Sequence, residues 1–416
     1  MAQLSNDCFA FGGPLLSVDD ARALIMERLR PVTAVETIVL AEAHGRVLAE
    51  PIIAPIDLPP FDNSAVDGYA VRHADLSAGP TVLPVVGRVA AGSSAAGVDD
   101  APHAVRIFTG APMPDGLDTV FMQEDVETRP GGVVVLPAGL KRGANRRLKG
   151  EDLARGAVAL EAGRRITPRE LALLAALGQA ELPVRAALRV ALFSTGDEIV
   201  SPGGPLHEAG LYDANRFMLA SLLRRAGCLV TDLGIVRDRR ESLAEALAGA
   251  SSGHDLLITS GGVSTGEEDH VKAAVESAGS LAFWRLGIKP GRPVALGVVR
   301  GTPFIGLPGN PVAVFVTFVQ IARALIARLS GETYAPPLPF PVEAGFGYRK
   351  KEGRREYVRV RLERREGRVI AHKHPREGAG VITSMTATDG LVELPESVTR
   401  VEQGESIGFL PYDILD

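Results

Sequence analysis

The stretch DLLITSGGVSTGEEDHVKAAVESAG, residues 255–279, has the pattern of a strand, a glycine-rich loop and a helix, in that order. A short apolar run reaches Thr259, a loop with three glycines follows, and an amphipathic segment begins near His270. Buried strands of parallel sheets are continuous apolar runs, whereas the helices that cover them carry apolar residues with a period of 3.6. The stretch therefore predicts one unit of a parallel sheet.

The same unit recurs from Leu188 to about residue 335. Apolar runs such as LRVALFS, CLVTDLGIV and PVALGVV alternate with amphipathic segments such as YDANRFMLASLLRRAG and RRESLAEALAGA, and a long apolar helix is expected from Pro311. This alternation is typical of a three-layer α/β/α domain with helices on both faces of the sheet. We predict that residues 188–335 form such a domain and that it binds its ligands at the carboxyl ends of its strands.

The flanking regions have other patterns. Residues 1–50 and 150–187 are predicted to form a discontinuous helical linking domain. Helix signals occur in SVDDARALIMERLR (17–30) and in TPRELALLAALG (167–178). In the second stretch, Thr167 and Glu170 can form a capping box. Residues 51–149 hold short β-type runs between Gly and Pro turns and are predicted to be an inserted β-rich domain. After the proline-rich segment ETYAPPLPFP, residues 336–416 show only β-type runs, which predict a barrel-like C-terminal domain. The fold class is thus α/β multidomain.

Composition excludes several classes of protein. The net charge of -5 and the pI near 6.0 do not suit a nucleic-acid binder, which needs a basic surface. Two cysteines are too few for a disulfide framework and favour a reducing cytoplasm. The longest apolar stretch, PVAVFVTFVQIARALIARL (311–329), is interrupted by Gln320, Arg323 and Arg328, which favours a buried helix over a membrane span.

Five polar loops follow the predicted strands, and a doubly wound sheet would gather them at one edge. They are STGDE (194–198), VRD (236–238), SGGVSTGEED (260–269), IKPGRP (288–293) and LPGNP (307–311). Backbone N–H groups of glycine-rich turns and helix N-termini bind anions, so Ser260, Gly261 and Gly262 are candidate anion-binding residues. Asn310 can cap the helix that follows it and leave N–H groups free for an anion.

Charged side chains in these loops extend the prediction. Lys289 and Arg292 add positive charge, whereas Glu198, Asp238 and Asp269 would repel an anion unless a cation lay between them and the ligand. Carboxylates that share a site with phosphate oxygens are typical of Mg²⁺. A tight turn at the glycines, and a helix-capping role for Asp269, remain simpler alternatives. The loops lack the P-loop and G-x-G-x-x-G motifs of common nucleotide sites.

A set of motifs in this chain resembles the MoeA family of molybdopterin molybdenumtransferases, which is related to gephyrin's C-terminal domain and to plant Cnx proteins. The motifs are FDNSAVDGYA, RIFTGAPMP, GEDL, FSTGDEI, YDANR, TSGGVSTGEEDH, KPGRP and GLPGNPV, and they occur in this order. The resemblance implies an enzyme that inserts molybdate into adenylylated molybdopterin, with Mg²⁺ as cofactor and release of AMP. Related alternatives are a molybdopterin adenylyltransferase and a gephyrin-like scaffold.

The resemblance also implies roles for individual residues. The family's catalytic positions match Asp67, Thr109, Asp152, Glu198, Asp238 and Asp269, of which Asp269 and Glu198 are the expected metal ligands. The segment implicated in molybdate binding matches Lys289, Arg292 and Pro293. Ser384 and Arg359 of the last domain are expected to reach that site, although Arg359 and Arg361 share a strand face for which solvent exposure is the simpler expectation.

Assembly and partners follow from the same resemblance. The family forms an elongated homodimer, which implies that the module containing DNSAVDG (62–68) faces the α/β domain of the partner subunit. A molybdopterin adenylyltransferase and apo-molybdoenzymes or cofactor chaperones are further possible partners. No nucleic acid and no membrane are expected.

Overall fold

A computed structural model describes residues 15–93, 101–262, 270–292 and 294–415. Its central sheet confirms the predicted α/β domain. The strands lie in the order Leu229–Val236, Arg189–Thr195, Leu256–Ser260, Thr302–Leu307, Val294–Val299 and Gly279–Trp284. The first four are parallel, so their carboxyl ends share one edge of the sheet.

The last two strands of this sheet run antiparallel to their neighbours, which the sequence prediction of a parallel sheet did not anticipate. Val294–Val299 and Thr302–Leu307 form a hairpin whose two central residues, Arg300 and Gly301, have φ values of 49° and 84°. Two consecutive residues with positive φ form the tight turn that suits a two-residue hairpin. Local turn geometry therefore reverses the chain, and these two strands are antiparallel instead of parallel as expected.

Helices cover both faces of the sheet and complete the predicted three layers. One face packs against Val18–Arg28, Asn215–Arg225 and the long helix that runs from Pro311–Thr317 through the π-helical turn Phe318–Ala322 to Arg323–Leu329. The other face packs against Arg240–Ser251 and His270–Ala278. The N-terminal helix begins as predicted, with the Ser17 hydroxyl accepting the Asp20 N–H at 3.1 Å, but it packs into the α/β core.

The long helix is the one described segment that is apolar and long enough to cross a membrane. Residues Pro311–Leu329 form it, and 89% of its apolar window is buried inside the protein. Because it is covered by other elements of the same chain, it is a buried core helix of the α/β domain, as the charged residues in its sequence predict.

The linking region contains more strand than its sequence pattern predicts. Its helix is Pro168–Ala176, and its strands are Val35–Val39, Val47–Leu48, Glu181–Arg185 and the pair Ile52–Ile53 with Val158–Leu160. Short 3₁₀ turns lie at Leu40–Glu42 and, in the β-rich region, at His73–Asp75 and Gln123–Asp125. Strands of two to five residues carry little periodic signal, which explains why the sequence indicated helices alone.

The inserted region is β-rich, as predicted. Its sheet has the strand order Thr119–Met122, Gly68–Val71, Ala104–Ile107, Thr81–Val89, Val133–Leu136 and Glu127–Arg129, and Asn63–Ser64 pairs separately with Arg146–Arg147. Gly68 has to be glycine, because a Cβ atom there would lie 1.7 Å from the Phe121 carbonyl oxygen. The close approach fixes the backbone beside Asp67.

The C-terminal region closes into a five-stranded barrel, which confirms the barrel-like prediction. The barrel strands are Phe340–Ala344, Arg355–Arg365, Arg368–Lys373, Gly390–Leu394 and Ser406–Pro411. The same region holds the pair Tyr348–Arg349 with Arg400–Val401 and the short helices Thr383–Thr386 and Tyr412–Leu415, whereas the pair Ile199–Val200 with Leu211–Tyr212 belongs to the α/β domain. Ile288–Lys289 of the α/β domain pairs in parallel with Arg355 and Glu356 of the barrel. This pairing joins the two domains directly. The domain boundaries at residues 50, 149, 187 and 335 stay a prediction.

The capping box predicted at Thr167 is present, and it leads to a testable pH dependence. Glu170 accepts hydrogen bonds from the Thr167 N–H at 3.0 Å and from Arg164 Nη2 at 2.7 Å. Burial alone raises the pKa of the Glu170 carboxyl, but hydrogen bonds from Thr167 and Arg164 outweigh it and lower the pKa from 4.5 to about 2. The folded state therefore favours the charged form more than the unfolded state does.

We expect Glu170→Gln to lower the free energy of unfolding at pH 7 by about 1 kcal/mol, because Gln can keep the capping box but loses the negative charge that accepts from Arg164. The contribution of a carboxylate with a lowered pKa is complete above the unfolded value of 4.5 and is lost as pH falls toward about 2. The stability difference between wild type and variant should therefore shrink over this range, as measured by urea unfolding at each pH. Glu161→Gln, at an exposed carboxylate of the same region, is the control, and a difference independent of pH would contradict the prediction.

Candidate functional site

The carboxyl ends of the parallel strands bring the predicted loops together. The Gly261 N–H donates to the Leu307 carbonyl at 3.1 Å, and a Cβ atom on Gly261 would lie 2.8 Å from the Thr195 carbonyl oxygen. Both Gly261 and Gly262 have positive φ, at 87° and 63°. The glycines are thus required by backbone conformation and by close approach, and they pack three strand ends tightly enough to form one surface.

Polar side chains on this edge have buried atoms without a hydrogen-bond partner among the described residues. The atoms are Ser194 Oγ, Thr195 Oγ1, Thr259 Oγ1, Asn215 Oδ1 and Asp238 Oδ1. A buried polar atom without a partner costs roughly 1–3 kcal/mol, so a group of them at the edge where sheets of this class bind ligands indicates a binding surface. Asn215 is held in place by its Nδ2 group, which donates to the Gly309 carbonyl at 2.7 Å.

Acidic groups converge on the same edge. Burial raises the pKa of the Asp238 carboxyl above its ordinary value, and the charges of Asp197 and Glu198 add to that shift. The charge of His270 and the nearby Thr195 hydroxyl oppose it. Carboxylates close enough to repel one another favour a cation between them. Asp269, the other expected metal ligand, lies outside the described residues, and no group of three His, Cys, Asp or Glu that could hold a metal ion occurs within the described part of the chain.

A cavity of about 480 Å³ lies between the α/β domain and the C-terminal barrel. Four of the predicted anion-binding residues line it together, namely Lys289, Arg292, Asn310 and Arg359. Its lining holds six Lys or Arg side chains against two Glu side chains, so the cavity is cationic although the whole chain is acidic. A cavity of this size and charge suits a small oxyanion or a phosphate-bearing ligand.

Two of these four residues, Asn310 and Arg359, do not have the surroundings that the sequence predicts. Asn310 does stand at the N-cap position, but its side chain makes no capping hydrogen bond, and the Val312 N–H donates to the Ala379 carbonyl at 3.0 Å. That N–H group, expected to be free for an anion, is therefore used to attach the C-terminal region to the helix.

The expectation that Arg359 is solvent-exposed is wrong, whereas Arg361 is exposed. Arg359 is 5% exposed because the segment around Arg376 folds over it, and its Nη2 donates to the carbonyls of Arg376 and Gly378 at 3.1 and 3.3 Å. Burial lowers the pKa of the Arg359 guanidinium. Its Nε is buried and has no hydrogen-bond partner among the described residues.

Ser384 does not line the cavity. It lies in the short helix Thr383–Thr386, is fully buried, and donates its hydroxyl to the Val381 carbonyl at 2.5 Å. Because the hydroxyl bonds to its own chain, the described geometry gives it no contact with a ligand in the cavity. Pro293, expected beside Arg292, lies outside the described residues.

Asp67 and Thr109, predicted from separate motifs, form one unit. The Thr109 N–H and hydroxyl both donate to Asp67 Oδ1 at 2.8 Å, and these bonds lower the pKa of the Asp67 carboxyl. Asp152 is exposed, and its N–H donates to the Leu58 carbonyl at 3.0 Å. Within the described chain, no hydrogen bond, ion pair or apolar cluster joins these three residues to the strand ends of the α/β domain.

Comparison with protein families covers nearly the whole chain. The MoeA N-terminal region (domain I and II) matches residues 16–178, a probable molybdopterin binding domain matches residues 191–328, and the MoeA C-terminal region (domain IV) matches residues 341–412. The molybdopterin molybdenumtransferase of Haemophilus influenzae is 40% identical to the chain over 403 residues, which are 96% of this chain and 100% of that relative. The chain belongs to the MoeA family.

Other relatives agree with this assignment. Molybdopterin molybdenumtransferase 2 of Mycobacterium tuberculosis is 36% identical over 405 residues, 94% of this chain and 98% of that relative. The crystal structure of the molybdopterin biosynthesis moeA protein from Pyrococcus horikoshii OT3 matches with a TM-score of 0.80 and 28% identity, and it covers 96% of this chain and 100% of that one. The MoeA resemblance inferred from the sequence motifs is therefore confirmed over the full length.

The MoeA-family cavity also contains residues that sequence reasoning missed. Tyr348, Glu356 and Lys373 line it beside Lys289, and Asp197 joins Glu198 and Asp238 at the strand ends. One signal for Glu356 was available in the sequence, since it is an acidic residue within the otherwise apolar and basic run EYVRVR. Tyr348 and Lys373 carry no such local signal, because only the closure of the barrel brings them to the cavity.

The pKa of the Asp238 carboxyl is raised and its Oδ1 has no described hydrogen-bond partner, which predicts that this site is held at a cost in stability. A carboxyl with a raised pKa destabilises the folded state once pH exceeds the ordinary value of 3.8, and the penalty grows up to the raised folded value. We expect Asp238→Asn to raise the free energy of unfolding at pH 7.5 by roughly 1 kcal/mol and to have no such effect below the ordinary pKa. Thermal unfolding at both pH values measures this.

Asp213→Asn is the matched control, because Asp213 is buried and accepts from Arg216 Nε at 2.9 Å. Removing that partner leaves a buried guanidinium less compensated, so this variant should be less stable at neutral pH. Equal destabilisation by both variants would contradict the interpretation of Asp238.

Proposed function

We propose that this MoeA-family chain is a molybdopterin molybdenumtransferase that inserts molybdate into adenylylated molybdopterin and releases AMP. The coarser part of this statement, an enzyme of molybdenum cofactor biosynthesis, follows from relatives whose names state that transferase activity and which align over nearly the whole chain. The magnesium requirement, the adenylylated substrate and the released AMP are proposals that rest on the site described above.

The observation that carries the proposal is the cationic cavity between the α/β domain and the barrel. Lys289, Arg292 and Arg359 line it from two domains, and a divalent tetrahedral oxyanion such as molybdate needs positive charge and several N–H donors. Arg359 offers its unpartnered Nε, and Lys289 offers an ammonium group at the cavity wall. Their role is to bind molybdate and to orient it beside the pterin.

The strand ends supply the second half of the site. The glycine turn after Ser260 suits a phosphate-bearing ligand, because glycines have no side chain to block access to their backbone N–H groups. The hydroxyls of Thr195 and Thr259, which have no described partner, are further donors. In this proposal they hold the phosphate groups of adenylylated molybdopterin. The two halves lie on neighbouring loops, since Gly261 and Gly309 are adjacent at the sheet edge and Asn310 lines the cavity.

The carboxylates fit a magnesium ion. Asp238 Oδ1 is buried without a partner among the described residues and lies near Glu198, and hard oxygen donors are the ligands that Mg²⁺ prefers. We propose that Glu198 and Asp238 hold the ion together with Asp269, which lies outside the described residues. When bound, the ion would supply positive charge to the phosphate oxygens of the substrate. Asp238 and Glu198 would then no longer repel that substrate.

A homodimer completes the site in this proposal. Asp67 and Thr109 form an ordered acidic unit that has no described contact with the α/β domain of its own chain, and the exposed Asp152 belongs to the same β-rich half. If a two-fold partner presents this unit to the strand ends, the site contains residues of both subunits. Molybdopterin adenylyltransferase would then supply the substrate, and apo-molybdoenzymes or cofactor chaperones would receive the product, in the cytoplasm.

The activity is tested with purified protein, adenylylated molybdopterin, Mg²⁺ and molybdate. We expect AMP release that depends on molybdate, and a product that activates an apo-molybdoenzyme. Lys289→Met should raise the molybdate concentration needed for half-maximal release by roughly tenfold, the cost of one hydrogen bond to a charged group. Lys351→Met, at an exposed lysine outside the cavity, is the control. Adenylylation of molybdopterin from ATP by this protein alone would instead support the adenylyltransferase alternative. Absence of both reactions in the wild-type protein would support the scaffold.

The shared site is tested by complementation between subunits. Asp67→Ala and Asp238→Asn should each be inactive, whereas a mixture of co-expressed chains should regain about one quarter of wild-type activity, because half of random dimers are mixed and each of those has one intact site. Two variants on the same half, Asp67→Ala with Thr109→Val, should not complement. Full inactivity of the mixed dimers would contradict a site built from both subunits.

A further inference from the structure

We propose that Tyr348 and Glu356 are positioning residues that hold two ammonium groups, Lys289 and Lys373, on one wall of the cationic cavity, and that Lys373 binds the oxyanion together with Lys289. This inference rests on the proposed function and extends it to residues that the sequence motifs do not include. It is carried by a hydrogen-bonded and stacked arrangement among the four side chains.

Backbone pairing fixes the centre of the arrangement. Lys289 pairs with Glu356 across the two domains, so the carboxylate is aligned with the ammonium group that it binds. Lys289 Nζ donates to Glu356 Oε2 at 3.0 Å, and Glu356 is 1% exposed. A buried carboxylate needs a compensating positive charge. Lys289 provides one, and Arg354 provides a second, with its Nη2 at 3.3 Å from Glu356 Oε1.

The Tyr348 hydroxyl closes the hydrogen-bonded triangle. It donates to Glu356 Oε2 at 2.9 Å and accepts from Lys289 Nζ at 3.2 Å. An ammonium group has three N–H donors, and the carboxylate and the phenol take two of them. The third donor of Lys289 therefore has a fixed direction, which is the property that distinguishes a positioned ligand-binding lysine from a flexible surface lysine.

The Tyr348 ring brings a second lysine to the same wall. The Nζ atoms of Lys289 and Lys373 lie 5.7 and 5.5 Å from the ring centroid, within the range of a cation–π interaction. Phe346 packs edge-on against the ring, with the ring planes at 88°, and limits its rotation. Lys373 also contacts Glu377, which is half-exposed and whose pKa is lowered chiefly by this lysine.

Two like charges held on one ring repel each other, and an anion between them removes the repulsion. Glu356 is buried and compensates Lys289 within the wall, whereas Glu377 compensates Lys373 from the rim. An oxyanion in the cavity can replace the exposed Glu377 carboxylate as the partner of Lys373, while the buried pair stays intact. Lys373 therefore becomes a ligand of the oxyanion, and Glu356 stays a positioning group.

The inference is tested by calorimetric titration of the full-length protein with sodium molybdate and, in parallel, by molybdate-dependent AMP release. Glu356→Gln and Tyr348→Phe should each weaken molybdate binding roughly tenfold, since each removes one hydrogen bond to a charged group. Lys373→Met should weaken it roughly three- to tenfold, as loss of a partly exposed charge contact does. Each should raise the KM for molybdate and leave kcat at saturating molybdate unchanged, which a general loss of structure would not do.

A double-mutant cycle separates positioning from a structural role. If Glu356 acts through Lys289, the Lys289→Met and Glu356→Gln double variant should bind molybdate no more weakly than Lys289→Met alone. Independent, multiplied effects would overturn the positioning role of Glu356, and wild-type affinity in Lys373→Met would overturn the role of Lys373. Lys351→Met is the control for charge alone. If the wild-type protein binds molybdate and the Glu356, Tyr348 and Lys373 variants bind it equally well, only this inference fails. A wild-type protein that binds no molybdate contradicts the proposed function as well.

Discussion

The pairing of Lys289 with Glu356 is the interaction on which the arrangement of the cavity depends. It lies where a two-residue strand of the α/β domain pairs with the first residues of barrel strand Arg355–Arg365, so a single register aligns the two walls of the cavity. Buried ion pairs add little stability compared with apolar residues of the same size, because both charges lose their hydration. What the pair does provide is a unique register, since a slip of one residue would leave Glu356 buried without its partner.

At the strand ends of the α/β domain, by contrast, buried polar atoms have no hydrogen-bond partner among the described residues. Its apolar strands and helices are packed on both faces, but polar atoms such as Ser194 Oγ and Thr259 Oγ1 have no described partner at the edge. A protein optimised for stability alone would fill these positions with apolar or paired groups. The packed core instead holds them rigidly, which lowers the entropy lost when a ligand binds and satisfies them.

The sequence predicted the elements whose signal is local. Continuous apolar strands and the Thr167 capping box were visible because their periodicity and caps lie within a few residues, and the adjacency of Lys289, Arg292 and Asn310 followed from the rule that parallel strands end at one edge. The burial of Arg359 and the position of Tyr348 were not visible, because both depend on closure of a barrel between segments far apart in the chain. The hairpin at Arg300 was missed although Gly301 marked it, since the prediction gave the apolar run more weight than the turn.

The separation of Asp67 from the strand ends has a consequence for how the enzyme is built. The Thr109 N–H and hydroxyl both donate to one oxygen of Asp67, so the carboxylate is oriented before any substrate binds. Gly68 fixes the same backbone from the other side, because only a glycine fits against the Phe121 carbonyl. A carboxylate oriented in this way is expected in a binding or catalytic site, yet among the described residues it makes no hydrogen bond to the α/β strand ends of its own chain. In the homodimer that we propose, a two-fold partner would supply that contact, and each dimer would have two equivalent sites, each built from the β-rich half of one subunit and the α/β half of the other.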